Sequence, residues 1–485
     1  MSEKQKTYKN TGIIALTSFV NIFFTVIKNK ILAIYVGPTG LGNFSLLSTA
    51  MNFTTSIAGL GLNNSGVQAI AEANTKSTTE VVRVYNSFSR FFFLLSLGCI
   101  TIFYFISPYI SLYLVEEDYL TWPLRIVSLG ILLRLRTQVQ NVLIIGLNKI
   151  KMLAKANLYN GAMVTALSIP LAVLFGNQSI PYLVIIIPLV SWMISASQVK
   201  KLFKELPRSR NRIKSKELRP ILFLGVATLY GGLLENIFGL LLKAGILKTF
   251  DENYLGYYHI AIGITLMYVG FLTSSIANDY YPRLVSKVSQ GHRHVTVFVN
   301  QQITISMHLI MPALLLMLTF SKEIIQLLYS SEFLLADMLI TFSIAGTLLK
   351  VVSWPIAYVF LAHRATKKYM ITEMVGNGSH LILVFIAFYL ESFTFLGIAY
   401  VLHYIIYLIT VSTMFGKFYK GYFSRKNIML FVLNSFFIIS IIFSKFFLPN
   451  LIGILSSLLI IAIAFYLSRK EYKYMLQSVL NKLNG

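Results

Sequence analysis

The chain has 485 residues, of which 56% are hydrophobic and only 12% are charged. A soluble domain normally carries about a quarter charged residues, so this composition excludes an ordinary soluble enzyme, a disordered chain and a secreted disulfide scaffold. The remaining charge is unbalanced, because 42 Lys and Arg residues stand against 18 Asp and Glu residues and give a net charge of +24. Such an excess is typical either of a nucleic-acid-binding protein or of the cytoplasmic loops of a membrane protein, and the positions of the charges distinguish the two.

Apolar stretches long enough to cross a bilayer recur along the whole chain. A transmembrane helix needs roughly 20 apolar residues, and fourteen stretches meet that requirement. They span residues 11–35, 41–72, 85–112, 119–147, 151–175, 178–199, 220–247, 254–281, 294–318, 335–363, 369–390, 392–415, 427–446 and 450–468. We therefore predict an all-α polytopic membrane protein with about 14 transmembrane helices. We expect no cleaved signal peptide, since the first ten residues are polar.

Basic residues alternate between the connections of these spans. If the N-terminus is cytoplasmic, thirty Lys and Arg residues lie on the cytoplasmic side, and only Lys248, Lys322 and Lys445 lie on the opposite side. Cytoplasmic loops of membrane proteins carry such an excess. The sequence therefore predicts that both termini are cytoplasmic. It also argues against nucleic acid as a partner, because the charges are spread over eight segments rather than gathered in one patch.

Short motifs repeat at a near-constant offset of about 216 residues: residues 130–134 match 346–350, and 160–161 match 377–378. Six spans per copy give both copies the same orientation. We therefore predict two parallel six-helix lobes around a central cavity, a geometry typical of alternating-access transporters. The predicted segments are an N-terminal lobe at 1–200, a basic cytoplasmic linker at 201–219, a C-terminal lobe at 220–416, two additional transmembrane helices at 427–468 and a cytoplasmic tail at 469–485.

Charged residues inside the predicted spans are the part of the total charge that bears on function. Nine are basic and three are clearly acidic. A charge at a helix centre costs about 2.5–3.5 kcal/mol on insertion scales, so such residues usually face a wet interior. Because nine cations cannot all pair with three anions, the cavity is predicted to be positive and to bind an anion. The candidate binding cations are Arg134, Lys350, Arg136, Lys28 and Lys30, and the candidate coupling residue or counter-ion is Glu235.

Two of these candidates have an alternative interpretation. Arg134 and Lys350 occupy equivalent positions in the two copies, and pairing with a buried Glu235 is the alternative to anion binding. Trp354 lies one turn beyond Lys350, next to Pro355, which is expected to kink the helix. This tryptophan either stacks on a sugar ring or packs as an aromatic. Because histidine spacing and the single cysteine indicate no metal or nucleophile site, we expect no catalytic residue, no metal, no cofactor and no enzymatic activity.

Three short motifs near the N-terminus resemble a known family. They are Asn29-Lys30-Ile31-Leu32-Ala33, Val36-Gly37-Pro38-Thr39-Gly40-Leu41-Gly42 and Gly59-Leu60-Gly61-Leu62-Asn63. In these residues the chain resembles the polysaccharide-transport family, the Wzx-type O-antigen and lipid-linked oligosaccharide flippases of bacteria. That family is similar in fold to multidrug and toxic-compound extrusion proteins and to the lipid II flippase. The GPxGLG turn after the first span is the most specific motif, and the pattern of spans extends the resemblance over residues 10–415.

The resemblance implies a substrate and a route. The substrate is an oligosaccharide on an undecaprenyl-pyrophosphate carrier, whose pyrophosphate would bind the Arg and Lys side chains of the cavity. Alternating access would move the head group from the cytoplasmic to the outer leaflet of the bacterial inner membrane, as a step in O-antigen and lipopolysaccharide biosynthesis. Membrane lipids are further partners, and a polysaccharide polymerase and the chain-length machinery are candidate partners.

Other functions compete with this one. An ion-coupled multidrug or metabolite exporter of the same fold would favour an acidic cavity for cationic drugs, whereas a lipid II-type flippase would share the pyrophosphate chemistry. A membrane polymerase or ligase would need a large external loop with catalytic Arg or His, but the longest external loop, near 319–335, contains neither. A passive scramblase does not account for the cations within the spans.

Overall fold

The computed structural model describes residues 3–115, 117–204, 206–207, 218–219, 221–222, 225 and 230–483. These residues form α-helices joined by short turns, and no β-strand occurs among them. The helices are α1 (Glu3–Ala58), α2 (Leu62–Lys76), α3 (Thr78–Val115), α4 (Thr121–Gly146), α5 (Ile150–Phe175), α6 (Ile180–Leu202), α7 (Tyr230–Thr249), α8 (Glu252–Val288), α9 (His292–Thr319), α10 (Ser321–Leu328), α11 (Ala336–Ala362), α12 (Thr366–Tyr389), α13 (Phe393–Tyr419), α14 (Arg425–Phe447) and α15 (Asn450–Leu483).

The helices follow the predicted spans along the chain, and the prediction of an all-α polytopic membrane protein is confirmed. Within the described residues, nine helical segments are long and apolar enough to cross a membrane, so the number fourteen stays a prediction. Two differences are notable. The first two predicted spans meet inside α1, and α15 continues to Leu483 through most of the predicted tail. The linker predicted at 201–219 lies largely outside the described residues.

Helix α1 is broken at Gly37, where φ is 62° and ψ is −168°. Glycine adopts this conformation readily because it has no Cβ, and Pro38, which follows, lacks a backbone N–H and cannot continue the hydrogen-bond ladder. The break coincides with the start of the GPxGLG motif. We name residues 38–58 the second segment of α1, because the kink at Gly37 separates them from the first part of the helix.

The chain divides into two compact units, Met1–Gly256 with Leu328–Ser330, and Tyr257–Leu327 with Ser331–Gly485. In the first unit, α4 packs against α3 and α6, and α5 packs against α6. In the second unit, α11 packs against α9 and α13, and α12 packs against α13. These three contacts among spans three to six of the first copy thus recur among spans nine to twelve of the second. The lobe boundaries stay a prediction, and α7 lies in the first unit.

Buried apolar residues recur at every fourth position on the central helix of each unit. On α4, Val127, Ile131 and Leu135 are fully buried, and on α11 Ile340 and Ile344 are buried in the same way. This spacing places them on one face of each helix. Because lipid is as apolar as these side chains, close packing rather than removal of apolar surface from water holds such helices together.

Gly346 allows α13 to approach α11 closely. A Cβ atom at this position would lie 2.5 Å from Cδ1 of the Tyr400 ring and 3.3 Å from the Tyr400 backbone oxygen. Small residues are typical of such contacts between membrane helices. On the neighbouring helix α12, a Cβ atom at Gly378 would meet no described atom within 4 Å.

The last two helices belong to the second unit, because α14 and α15 pack against α9 and polar contacts hold both ends of α14. At one end, Lys445 Nζ lies 2.5 Å from Asp337 Oδ1 and donates to Ser321 Oγ at 2.6 Å. The side chains of Lys445 and Asp337 are only 10% and 9% exposed. At the other end, Asn427 Nδ2 donates to Asn300 Oδ1 at 2.9 Å. The two additional helices are therefore built into this unit.

The first prediction tests the close contact at Gly346. We expect Gly346→Ala to lower the free energy of unfolding by about 1–3 kcal/mol, because the added methyl group overpacks against Tyr400. Gly378→Ala is the matched control and is expected to be neutral or to stabilise by up to about 1 kcal/mol, since alanine favours the helix. Thermal unfolding of both variants in the same lipid measures the difference. Equal melting temperatures would contradict the close contact.

The second prediction tests the buried ion pair of Lys445 and Asp337. Asp337→Ala leaves Lys445 buried without its carboxylate, and we expect a loss of about 3–5 kcal/mol. The double variant Asp337→Ala/Lys445→Met contains neither charge and is expected to recover most of that loss. Unfolding free energies of Asp337→Ala, Lys445→Met and the double variant complete a double-mutant cycle. Losses that simply add would show that the two residues do not interact.

Candidate functional site

The second segment of α1 carries a stripe of polar side chains. Ser45, Thr49, Asn52 and Ser56 follow one another at intervals of four, three and four residues, which places them on one face of the helix. We name these four residues the polar stripe. Their hydroxyl and amide groups supply hydrogen-bond acceptors along the segment. This stripe is not among the site residues predicted from the sequence, although its helical spacing is visible there.

Two cations from other helices bind the polar stripe. Lys243 Nζ, on α7, donates to Thr49 Oγ1 at 2.6 Å and to the Ser45 backbone oxygen at 3.4 Å. The Arg134 guanidinium, on α4, donates to Asn52 Oδ1. The stripe therefore orients both cations along the same segment of α1.

A third cation, Lys28, contacts the same segment of α1 at Phe44, with Nζ 5.7 Å from the centroid of the Phe44 ring. We name Lys28, Arg134 and Lys243 the cation cluster. Ion pairs among the described side chains involve other residues, so no described carboxylate neutralises the cluster. Hydroxyl, amide and ring groups compensate for lost hydration but leave the charge in place. The cation cluster is therefore suited to an anion.

The two arginines of α4 that were predicted as site residues reach different helices. Arg136 Nη1 donates to Ser89 Oγ at 2.8 Å and to the Ser89 backbone oxygen at 3.2 Å. Its guanidinium carbon lies 5.2 Å from the centroid of the Phe93 ring. Ser89 and Phe93 are on α3, whereas Arg134 contacts α1. The geometry thus makes Arg136 a contact between α4 and α3.

Lys350 lies in the second unit, with Nζ 5.9 Å from the centroid of the Tyr404 ring. The Tyr404 ring is 4.9 Å from Tyr400 and 4.4 Å from His403. His403 in turn stacks on His380 at 4.6 Å. None of the ion pairs among the described side chains includes Lys350. Aromatic faces attract this cation without removing its charge.

Trp354 packs among tyrosines beside the proline in α11. Its ring lies 5.8 Å from Tyr280 and 5.1 Å from Tyr358, both in T-shaped arrangements. The Tyr280 hydroxyl donates to the Pro355 backbone oxygen at 2.8 Å. The indole Nε1 is buried and has no hydrogen-bond partner among the described residues. A role for Trp354 in sugar stacking stays a prediction.

Two candidates remain to be placed. Lys30 donates a hydrogen bond to the backbone oxygen of Tyr329. The side chain of Glu235 lies outside the described residues, so its role stays a prediction. Of the predicted cations, the structure thus brings Lys28 and Arg134 to the second segment of α1.

A cavity of about 810 Å³ opens in the first unit next to the α1 break. It is formed by the start of the second segment of α1, the end of α5 and the starts of α4, α6 and α8, on the side that the charge distribution predicts to be non-cytoplasmic. We name it the outer cavity. It is lined by Thr39, Gly40, Asn43, Leu47, Tyr119, Leu120, Trp122, Pro123, Leu171, Phe175, Asn177, Gln178, Ile180, Pro181, Tyr182 and Glu252. None of the predicted site residues is among them, because helix ends have no periodicity from which the sequence could reveal a cavity.

Polar contacts join α1 to the start of α8 at the outer cavity. Asn43 Nδ2 donates to Glu252 Oε2 at 3.1 Å, and Thr39 Oγ1 donates to Asn253 Oδ1 at 2.7 Å. A Cβ atom at Gly42 would lie 2.3 Å from the Glu252 backbone oxygen, so this approach needs glycine. Burial raises the pKa of the Glu252 carboxyl, and the hydrogen bond from Asn43 opposes that shift.

The sequence profile of a family described as polysaccharide biosynthesis protein matches residues 31–337, more than half of the chain. The chain belongs to this family. The resemblance to polysaccharide transporters that rested on the N-terminal motifs is thereby confirmed. No curated protein matches the chain in sequence.

Solved structures of transporters share the fold. A structure of the lipid II flippase MurJ in an inward closed conformation has a TM-score of 0.74 and 16% identity, and the match covers 95% of this chain and 99% of that chain. An inward-facing multidrug resistance transporter of the MATE family and MOP superfamily has a TM-score of 0.64 and 15% identity, with coverages of 82% and 95%. The MATE multidrug transporter DinF-BH has a TM-score of 0.54 and 16% identity, with coverages of 85% and 96%.

These likenesses show the fold, and with the family they make the protein a multi-pass membrane flippase or transporter. The part of the chain that the lipid II flippase match leaves uncovered is shorter than α14 and α15 together. The likeness to that flippase therefore extends into the two additional helices.

The third prediction tests the contact between α4 and α3. We expect Arg136→Gln and Ser89→Ala each to lower the unfolding free energy, with a coupling of about 1–3 kcal/mol between them, because the bond joins a charged donor to a neutral acceptor. Thermal unfolding of the two single variants and the double variant measures the coupling. A coupling of zero would show that Arg136 does not hold α4 against α3.

Proposed function

We propose that the protein is a flippase for an undecaprenyl-pyrophosphate-linked oligosaccharide, the repeat unit of O-antigen or a similar surface polysaccharide. It moves the head group from the cytoplasmic to the outer leaflet of the bacterial inner membrane by alternating access. Membership of the polysaccharide biosynthesis family and the transporter fold support this proposal. The single observation that carries it is the cation cluster without a described carboxylate partner.

The cation cluster supplies the chemistry that a pyrophosphate needs. An arginine binds phosphate oxygens through two parallel hydrogen bonds, and a lysine adds a compact charge. Arg134, Lys28 and Lys243 lie along the same segment of α1, where hydroxyl and amide groups orient two of them. The pyrophosphate would take the place of bulk water as the partner of these charges. The other cations proposed from the sequence are Lys350, Lys30 and Arg136. Of these three, Lys350, in the second unit, is the strongest candidate for binding the pyrophosphate.

The remaining parts of the mechanism are proposals from the sequence. We propose the lobes 1–200 and 220–416 as the moving bodies, with both termini in the cytoplasm. Glu235 is the proposed coupling residue or counter-ion, and Trp354 the proposed sugar-stacking residue. A polysaccharide polymerase and the chain-length machinery are the proposed partners that receive the translocated glycan.

A lipid II-type flippase is the second candidate function, because the fold is shared with the lipid II flippase over 95% of this chain. Lipid II carries the same pyrophosphate, so the cation cluster does not distinguish the two substrates. Rescue of cells depleted of their own lipid II flippase would favour this second candidate. Restored surface polysaccharide in cells that lack their O-antigen flippase would favour the first.

The fourth prediction tests the role of single cations in transport by removing them one at a time. We expect Arg134→Ala and Lys350→Ala each to reduce surface glycan display by about tenfold or more, since a hydrogen bond to a charged group contributes about 1.5–3 kcal/mol. Display is measured by polysaccharide staining of intact cells, and protein in the membrane fraction is measured by immunoblot.

Arg125→Ala is the matched control, because Arg125 lies on the same helix as Arg134 and carries the same charge. Its guanidinium packs 4.5 Å from the centroid of the Tyr104 ring, away from the polar stripe. Display in this variant is expected to stay near the wild-type level. Wild-type display in both Arg134→Ala and Lys350→Ala would overturn the role of the cations.

A further inference from the structure

The outer cavity differs in chemistry from the cation cluster. Among its sixteen described lining residues there is no Lys and no Arg, and the one charged residue is Glu252. A carboxylate without a neighbouring cation repels pyrophosphate. The ligand of this cavity therefore differs in charge from the group that binds the cation cluster.

The lining combines flat aromatic rings with amide groups. Tyr119, Trp122, Phe175 and Tyr182 contribute the rings, and their side chains are 43–61% exposed, so their faces are accessible. Amide side chains at the same cavity can both donate and accept hydrogen bonds. Sugars present apolar C–H faces, which stack on aromatic rings, and hydroxyl groups, which bind amides and carboxylates. This combination fits a neutral saccharide.

One acceptor in the lining lacks a partner. Asn43 donates through Nδ2 to Glu252 Oε2, but its Oδ1 is buried and has no hydrogen-bond partner among the described residues. A buried acceptor without a partner is unfavourable. A ligand hydroxyl that donates to Asn43 Oδ1 would remove that cost, and Glu252 Oε1 can accept from a second hydroxyl.

The size of the cavity fits more than one sugar ring. Water occupies about 30 Å³ per molecule in the liquid, so about 810 Å³ holds roughly two dozen groups of that size. A hexose contains roughly a dozen non-hydrogen atoms of this kind, so the cavity has room for about two sugar rings.

We propose that the outer cavity is a saccharide-binding subsite, separate from the cation cluster, that holds a neutral disaccharide portion of the glycan on the outer side of the membrane. The source of the saccharide rests on the proposed flippase function. The binding itself does not, because it can be measured with the purified protein in the absence of transport.

The competing explanation is that the aromatic residues only anchor the protein at the membrane surface, where Trp and Tyr are enriched. Tyr109 on α3 provides a matched control for this explanation. It is 75% exposed and does not line the outer cavity.

The test uses the whole chain in lipid nanodiscs, free of sugar-based detergent. In the variant Trp192→Phe/Trp354→Phe, which keeps an aromatic ring at the proposed stacking position 354, Trp122 is the one tryptophan left and reports on the cavity by its fluorescence. The probes are a panel of neutral disaccharides, N,N′-diacetylchitobiose and cellobiose among them, and inorganic pyrophosphate. We expect a saturable fluorescence change with at least one disaccharide and none with pyrophosphate.

Further substitutions in the same background identify the site. We expect Tyr182→Ala and Asn43→Ala each to weaken disaccharide binding by about tenfold, and Tyr109→Ala to leave it unchanged. Gln178→Ala removes an exposed amide of the lining and serves as the second polar variant where Asn43→Ala does not fold. Arg134→Ala is expected to keep normal disaccharide binding while it loses glycan display.

The outcomes separate the subsite from the flippase proposal. If no disaccharide gives a saturable change in Trp122 fluorescence, or if only pyrophosphate gives one, the subsite proposal is overturned. Equal weakening by Tyr109→Ala and Tyr182→Ala also overturns it and favours membrane anchoring. Disaccharide binding that persists while Arg134→Ala and Lys350→Ala show wild-type display supports the subsite and overturns the pyrophosphate role of the cations.

Discussion

The cost of placing a cation in an apolar helix bundle is the constraint on which the rest of this structure depends. Inside a membrane, such a charge keeps its place when hydroxyl groups, amides, ring faces or a carboxylate replace its hydration shell. Lys243 is compensated by Thr49, and Arg134 by Asn52. These neutral partners stabilise the cations and preserve their charge, which leaves them able to attract an anion.

The buried ion pair of the second unit shows the opposite solution. Lys445 lies against Asp337 at 2.5 Å and also donates to Thr341, so its charge is neutralised within the protein. Such a cation holds helices together and has no capacity left for a ligand. The two kinds of lysine therefore have different roles, although both are cations close to apolar spans. The distinction rests on whether the partner carries a charge.

Both sites of the first unit depend on the break at Gly37. Because α1 changes direction there, its second segment places the polar stripe where Lys243 and Arg134 reach it. The residues directly after the break line the outer cavity, and Gly42 allows the backbone of Glu252 to come close. A single turn motif thus positions the cation-binding polar stripe and part of the lining of the outer cavity on the same segment.

The sequence by itself determined the all-α membrane class and the surplus of cations, because bilayer thickness and hydration energies act on composition and local periodicity. The number of spans and the two-lobe repeat stay predictions. Only the tertiary structure decided which cations share a site. Arg134 and Arg136 look equivalent in the sequence, but helix rotation directs one to α1 and the other to α3. The pair of Lys445 with Asp337 and that of Asn43 with Glu252 join residues 108 and 209 positions apart. Such contacts depend on how helices pack, and no local pattern encodes them.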